Sequence, residues 1–185
     1  MDIFEKTVKK TVRYQGLIVN VRVDMAEIPN GKVVPREVVE HPGGVCVLPL
    51  DGQGNIVAVR QYRYCLGADL LEIPAGKLEK GEDHRECGLR ELSEETGFVP
   101  ERFVYLGCNY PSPGFCDEVI HLYLACGLRQ EGAHLDEDEF LSVELVPFEK
   151  FGDMIMSGEI RDSKTVSAYF MARRMLKGEG YFGKE

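Results

Sequence analysis

Residues 76–98 read GKLEKGEDHRECGLRELSEETGF, and this stretch decides both the predicted fold and the predicted chemistry. Its residues follow helical periodicity from Asp83 to Thr96, and Gly97 is typical of a helix C-terminus. Seven carboxylates lie between Glu79 and Glu95. The simplest interpretation of such a run is the solvated acidic face of a helix, but the spacing of the last three carboxylates favours a second one.

Glu91, Glu94 and Glu95 are spaced so that their side chains share one face of the predicted helix. Like charges at this spacing repel by roughly 0.2–0.5 kcal/mol per pair, and they lie in the last two turns, where the helix dipole is already negative. A loss of helix stability that no neighbouring residue visibly offsets is typical of a functional site. A bound divalent cation is the simplest compensation, and oxygen-only ligands favour Mg²⁺.

Small residues lie one turn earlier in the same helix, at Cys87 and Gly88. A glycine within a helix costs roughly 1 kcal/mol relative to alanine. Two interpretations of Gly88 therefore stay open, which are close approach of a ligand and tight packing against a sheet. His84 projects to the same face, but it is a weak ligand candidate because metals that prefer nitrogen need more nitrogen or sulfur donors nearby.

Strands are predicted on both sides of this helix, which favours a mixed sheet flanked by helices. The predicted strands are 16–27, 32–40, 45–50, 56–62, 103–108, 119–125 and 140–146, and the further helices are 149–156 and 163–177, the last capped by Gly178. Asn30-Gly31 is a hairpin-turn signal. No repeat, low-complexity tract or linker divides the chain, so one globular domain is the default.

Composition excludes several classes of protein. Hydrophobic residues make up 44% and charged residues 29% of the chain, as in ordinary globular proteins. The net charge of -9 argues against nucleic-acid binding. The lack of a long apolar segment or signal-peptide core predicts a cytoplasmic protein without a membrane span. The six single cysteines are interpreted as reduced, mostly core residues.

The spacing of the 76–98 stretch resembles the Nudix box, whose fixed positions match Gly76, Glu82, Arg90, Glu91, Leu92, Glu94, Glu95, Gly97 and Phe98. Outside the box, the segments 60–63, 72–76 and 112–114 are similar to the ADP-ribose pyrophosphatase branch of that family. The resemblance implies an α/β/α sandwich with a mixed sheet, plus N-terminal antiparallel strands. Residues 1–42 would then serve dimerisation and substrate contact, and residues 43–180 would form the Nudix hydrolase domain.

The resemblance also implies a set of site residues. The metal ligands would be the Ala75 carbonyl and the carboxylates of Glu91, Glu94, Glu95 and Glu139, with Glu82 and Arg90 behind them. Glu137, in the acidic loop 136–139, would be the general base, although a solvated acidic turn is the alternative there. Substrate contacts would come from Leu17, Arg36, Glu37, Arg63, Ser112, Gly114 and Glu118. A plain surface role is the alternative for Arg36 and Arg63.

The activity implied by the resemblance is hydrolysis of ADP-ribose to AMP and ribose 5-phosphate by a homodimer. Two or three Mg²⁺ ions, or Mn²⁺ in their place, would offset the substrate's charge, because a net acidic protein repels a diphosphate. Other substrates stay open: GDP-mannose, ADP-glucose, NADH or an oxidised nucleoside triphosphate. A non-catalytic Nudix-fold ligand sensor is a further alternative. The chain has no tryptophan, so adenine recognition falls to a tyrosine, a phenylalanine or an aliphatic clamp.

Overall fold

The computed structural model describes residues 3–132 and 140–179. Within them the chain forms two compact units, one of residues 3–43 and 110–119 and one of residues 44–109, 120–132 and 140–179. The segment 110–119 joins the first unit through Val39, whose amide donates to the Phe115 carbonyl at 2.7 Å and whose carbonyl accepts from the Asp117 amide at 3.1 Å. Division of the chain into domains at residues 42 and 43 stays a prediction.

The first unit contains an antiparallel sheet in the order β1 (Lys6–Gln15), β2 (Asn20–Glu27) and β3 (Val33–Glu40). The predicted hairpin turn is confirmed, since Gly31 has a φ of 81° between β2 and β3. The strand predicted from residue 16 begins only at Asn20, because the Gly16 amide donates to the Val19 carbonyl in a tight turn. β1 was not predicted, and nearly all of its residues are exposed.

The second unit contains a mixed sheet, as the sequence predicted. Its strands are β4 (Gly44–Leu50), β5 (Asn55–Arg63), β6 (Ala68–Glu72), β7 (Ala75–Lys77), β8 (Phe98–Asn109), β9 (Ile120–Gln130) and β10 (Leu141–Pro147). The main path runs β10-β5-β4-β9-β8, with β6 beside β5 and β7 beside β4. Among the described residues β4 and β9 pair in parallel and the other pairs are antiparallel.

The helices of the second unit are α1 (His84–Thr96), α2 (Phe148–Met156) and α3 (Ser163–Gly178). The predicted C-terminal end of α1 is confirmed, because Gly97 has a left-handed φ of 73°. The helix begins one residue later than predicted, since Asp83 is its N-cap and its side chain accepts from two backbone amides. The predicted cap at Gly178 is wrong. That residue is the last of the helix, and the C-cap is Glu179, whose right-handed backbone requires no glycine.

Helices cover both faces of β4, which is why all of its residues are buried. Val45 and Val47 pack in one core with Cys87 and Leu92 of α1. The alternate residues of β4 pack in a second core with side chains of α3. The expected α/β/α sandwich is therefore confirmed. No helix within residues 3–132 and 140–179 has the length and apolar character required to cross a membrane.

Candidate active site

The three clustered glutamates of α1 differ in burial. Glu91 is 7% exposed and Glu95 is 2% exposed, whereas Glu94 is only partly buried. The last turn of α1 contains no basic residue, although a cation there would be favoured by the helix dipole. α1 thus holds two buried carboxylates at its negative end.

Arg90 supplies part of the compensating charge. Its Nη1 lies 2.9 Å from both Glu91 Oε1 and Glu94 Oε2, and its Nε donates to Glu82 Oε1 at 3.0 Å. The guanidinium holds the pKa of Glu82 at about 2, well below the usual range, and these carboxylates raise the pKa of Arg90. The structure therefore joins Glu82, Arg90, Glu91 and Glu94 in one ionic network.

The short strand β7 brings its backbone against the same carboxylates. Gly76 pairs with Val45 of β4, and a Cβ built on Gly76 would overlap the Glu91 carboxylate. The Ala75 amide donates to Glu95 Oε2 at 3.2 Å. A glycine is required at residue 76 because the Glu91 side chain occupies the space of a Cβ.

The donor set of these residues is chemically suited to a hard cation, since it consists of carboxylate and backbone oxygens. Within residues 3–132 and 140–179, however, no three side chains of His, Cys, Asp or Glu are grouped as a metal site would require. Arg90 binds Glu91 and Glu94, so both carboxylates already have a positively charged partner. Glu137 and Glu139 lie outside the described residues.

Gly88 and His84 have structural contacts that explain them without a ligand. A Cβ on Gly88 would lie 2.9 Å from the Phe103 ring and 3.1 Å from Val45, so tight packing against the sheet accounts for this glycine. The His84 ring stacks on His121 at 3.9 Å, and its Nδ1 lies 2.6 Å from the Tyr123 hydroxyl.

Arg63, a predicted substrate contact, lies at the end of β5. Its Nε donates to Glu72 Oε1 at 2.8 Å and its Nη2 to Glu72 Oε2 at 2.6 Å. The carboxylate of Glu72 also binds Lys164, which lies near the start of α3. Arg63 is thus held on one edge by a buried acid and remains about one-third exposed.

The other predicted substrate contacts lie in the first unit. Arg36 forms a two-pronged ion pair with Glu5 at 2.8 and 2.9 Å, and Glu118 Oε1 lies 3.3 Å from His41 Nδ1. The Ser112 carbonyl accepts two backbone amides of a turn. Leu17, Glu37 and Gly114 are exposed.

Comparison with known proteins agrees with this arrangement of helix, glutamates and sheet. A model of the NUDIX domain matches residues 39–169 of the chain. The chain belongs to the NUDIX family. Its Nudix box runs from Gly76 in β7 through α1 to Phe98, the first residue of β8.

Two relatives align along nearly the whole chain. A methanol dehydrogenase activator of Bacillus methanolicus is 46% identical over 94% of this chain and 96% of its own. An ADP-ribose pyrophosphatase of Bacillus subtilis strain 168 is 41% identical over 95% of this chain and 97% of its own. The crystal structure of an ADP compounds hydrolase superposes with a TM-score of 0.84 over 95% of this chain and 96% of that chain. At 23% identity, that likeness concerns the Nudix fold alone.

Glu72 and Lys164 are features of this Nudix chain that sequence reasoning missed. Glu72 is 1% exposed, and Lys164 is among the buried residues although it carries a charge. A carboxylate that follows two leucines at the end of a strand, as in Leu70-Leu71-Glu72, was the available signal for a buried acid. No such signal marks Lys164, whose partner lies 92 residues away in the sequence.

Proposed function

We propose that this protein hydrolyses the diphosphate of ADP-ribose to AMP and ribose 5-phosphate with the help of Mg²⁺. The observation that carries the proposal is the 41% identity to the Bacillus subtilis ADP-ribose pyrophosphatase, which extends over nearly the full length of both chains. The Nudix box supports it, since the box presents buried glutamates beside a backbone strand.

Nudix hydrolases use divalent metal ions, and the glutamates of α1 are the proposed ligands here. Glu91, Glu95 and the Ala75 carbonyl would hold the ions, with Glu94 as a further ligand and two or three ions per site. When bound, Mg²⁺ or Mn²⁺ supplies positive charge that offsets the phosphates of the substrate. Arg90 and Glu82 keep the ligands oriented through the ionic network already formed.

Substrate contacts are proposed for both units. Arg63 is suited to a phosphate oxygen because a guanidinium offers fixed N–H donors. Arg36 is proposed to hold substrate oxygens in the same way. Glu37 and Leu17 are proposed to contact the nucleoside, and the terminal ribose is proposed to contact Ser112, Gly114 and Glu118. Glu137 is the proposed general base and Glu139 a further ligand. A general base takes a proton from the attacking water as the bond to phosphorus forms.

A substrate panel tests this function. Purified protein with Mg²⁺ is mixed with ADP-ribose, ADP-glucose, GDP-mannose and NADH, and nucleoside monophosphate release is measured. ADP-ribose is expected to give the highest kcat/KM and to yield AMP, with no release when EDTA is present. A clear preference for another member of the panel would overturn the proposed substrate, and no release from any of them would overturn the proposed activity.

We also propose that the protein acts as a homodimer in the cytoplasm. Several apolar side chains of the first unit are exposed, among them Val8, Val12 and Tyr14 of the outer strand β1. Burial of such residues against a second copy is favourable by roughly 25 cal/mol per Å². Light scattering is expected to give twice the chain mass of 20.8 kDa, and a monomer mass would contradict the dimer.

A second candidate function is activation of an alcohol dehydrogenase, which the 46% identity to the methanol dehydrogenase activator favours. It is distinguished by adding the protein to a purified methanol dehydrogenase and following NADH formation. If the Glu95→Gln variant no longer hydrolyses ADP-ribose but still stimulates the dehydrogenase, activation would be favoured as a separate function.

A further inference from the structure

Arg63 belongs to a cluster of four charged side chains at the ends of β5 and β6 and the start of α3. Lys164 binds the Glu72 carboxylate, and its Nζ also lies 2.9 Å from Asp162 Oδ1. Glu72 in turn holds Arg63 by two hydrogen bonds. The four residues therefore form a continuous chain of contacts from Asp162 to Arg63.

The charges of this cluster balance, with two acids and two bases. Burial favours the neutral form of Glu72, but Arg63 and Lys164 outweigh it and keep its pKa below the usual value. Burial likewise favours neutral Lys164, but Asp162 and Glu72 outweigh it and raise its pKa. Glu72 and Lys164 therefore stay charged near neutral pH beside Arg63, and each side chain restricts the geometry of the next.

The position of Lys164 is itself set by the beginning of α3. The Asp162 side chain accepts from the Thr165 amide at 3.0 Å and so caps the helix. The Thr165 hydroxyl accepts from the Ile73 amide at 3.1 Å. The first turn of α3 is thereby tied to the backbone directly after Glu72.

The hydrogen bonds of Arg63 leave one part of its guanidinium for a ligand. Nε and Nη2 are used by Glu72, which fixes the plane of the group. Nη1 makes no hydrogen bond to any residue in the described ranges 3–132 and 140–179, and the side chain is 34% exposed. An arginine held in this way is preorganised, because little side-chain freedom remains to be lost when an anion binds.

We propose that Lys164 is a positioning residue which, through Glu72, orients Arg63 so that Nη1 meets a phosphate oxygen of the substrate. This inference rests on the proposed function, since it takes a nucleoside diphosphate as the ligand. Lys164 touches no substrate atom. Its effect on binding passes entirely through Arg63.

A double-mutant cycle between Lys164→Met and Arg63→Met tests this route. Binding of the non-hydrolysable α,β-methylene analogue of ADP-ribose is measured by calorimetry, and KM and kcat are measured for ADP-ribose. Loss of a charged hydrogen bond in Arg63→Met is expected to raise the dissociation constant about tenfold or more. Lys164→Met alone is expected to raise the dissociation constant about three- to tenfold. Added to Arg63→Met, the same substitution is expected to raise it by less than about twofold.

The kinetic constants separate positioning from a general loss of structure. Arg63 contacts the substrate before and during reaction, so KM is expected to rise in Lys164→Met while kcat changes little. The matched control is Lys150→Met at an exposed lysine of α2, which is expected to leave both constants unchanged. An unaltered dissociation constant in folded Lys164→Met, or effects of the two substitutions that simply multiply, would overturn the proposal.

A charge-balanced variant keeps the test decisive if Lys164→Met fails to fold. Asp162→Asn combined with Lys164→Met removes one charge of each sign and retains a side chain that can cap α3. This double variant is expected to show the same rise in the dissociation constant as Lys164→Met. The rise is expected to disappear when Arg63→Met is also present. If the wild-type protein releases no AMP from ADP-ribose, both the proposed function and this inference are overturned. If the wild-type protein is active but the effects of the two substitutions on the dissociation constant multiply, only the inference is overturned.

Discussion

The backbone amide of Ala75 donates a hydrogen bond to Glu95 Oε2 at 3.2 Å, across a separation of 20 residues in the sequence. This contact joins the edge strand β7 to the last turn of α1. Gly76, the next residue, allows the Glu91 carboxylate to occupy the space of a Cβ. The two most buried carboxylates of the Nudix box are therefore positioned by a strand as well as by their own helix.

Gly76→Ala is predicted to impair activity by displacing Glu91. The added Cβ would overlap the Glu91 carboxylate, and a shift of about 1 Å in a site residue can lower the rate about 10²-fold. ADP-ribose hydrolysis is the measurement. Gly52→Ala is the control, because a Cβ at Gly52 would meet no atom within 4 Å. Equal activity of the two variants would contradict the positioning of Glu91 by β7.

Glu95→Gln is predicted to lower hydrolysis of ADP-ribose by about 10³-fold, which corresponds to about 4 kcal/mol of transition-state stabilisation. The neutral amide keeps an oxygen for the Ala75 amide but loses the charge that a divalent ion requires. Circular dichroism should show an intact fold. The control is Glu86→Gln, at an exposed acid in the first turn of α1, which should retain full activity. Unchanged turnover in Glu95→Gln would refute the assignment of Glu95 as a metal ligand.

The ion pair of Glu82 and Arg90 is predicted to stabilise the protein in a pH-dependent manner. Because the pKa of Glu82 lies at about 2 in the folded protein and at 4.5 otherwise, its contribution is full above 4.5 and declines as the pH falls toward 2. Urea unfolding of wild type and Glu82→Gln without metal measures this. The stability difference should be constant near neutral pH and shrink below 4.5; a difference that grows in acid would contradict the ion pair.

Gly97→Ala is predicted to destabilise the fold by about 1 kcal/mol, because its left-handed φ of 73° at the end of α1 disfavours any side chain. Gly178→Ala is the matched variant. That glycine is helical and a Cβ there would meet no atom within 4 Å, so alanine should stabilise α3 by up to about 1 kcal/mol. Thermal or urea unfolding distinguishes the opposite signs, and equal shifts would contradict the assigned helix ends.

The sequence predicted those features whose signals are local. The C-terminal end of α1 follows from Gly97, a glycine directly after the last periodic residue of the helix. The contact of Arg90 with Glu94 follows from their four-residue spacing. β1 could not be predicted in the same way, since an exposed edge strand has no buried face to impose alternation.

Contacts between distant segments could not be predicted from one sequence. The pairing of Glu72 with Lys164 depends on the first turn of α3 lying beside the chain that follows β6. The contact of the Glu91 carboxylate with Gly76 depends on the position of β7 beside β4. The interpretation of Gly88 was open for the same reason, because only the placement of Phe103 decides it. The roles of Glu137 and Glu139 stay predictions.

Binding of Mn²⁺ and Mg²⁺ is the most direct test of the central claim that the buried glutamates of α1 hold divalent ions. Calorimetric titrations are made with wild type and with Glu91→Gln/Glu95→Gln, each with the methylene analogue of ADP-ribose present. Wild type is expected to take up both ions saturably, and the variant is expected to lose this uptake while it remains folded. Equal uptake by both proteins, or none by folded wild type, would contradict the claim.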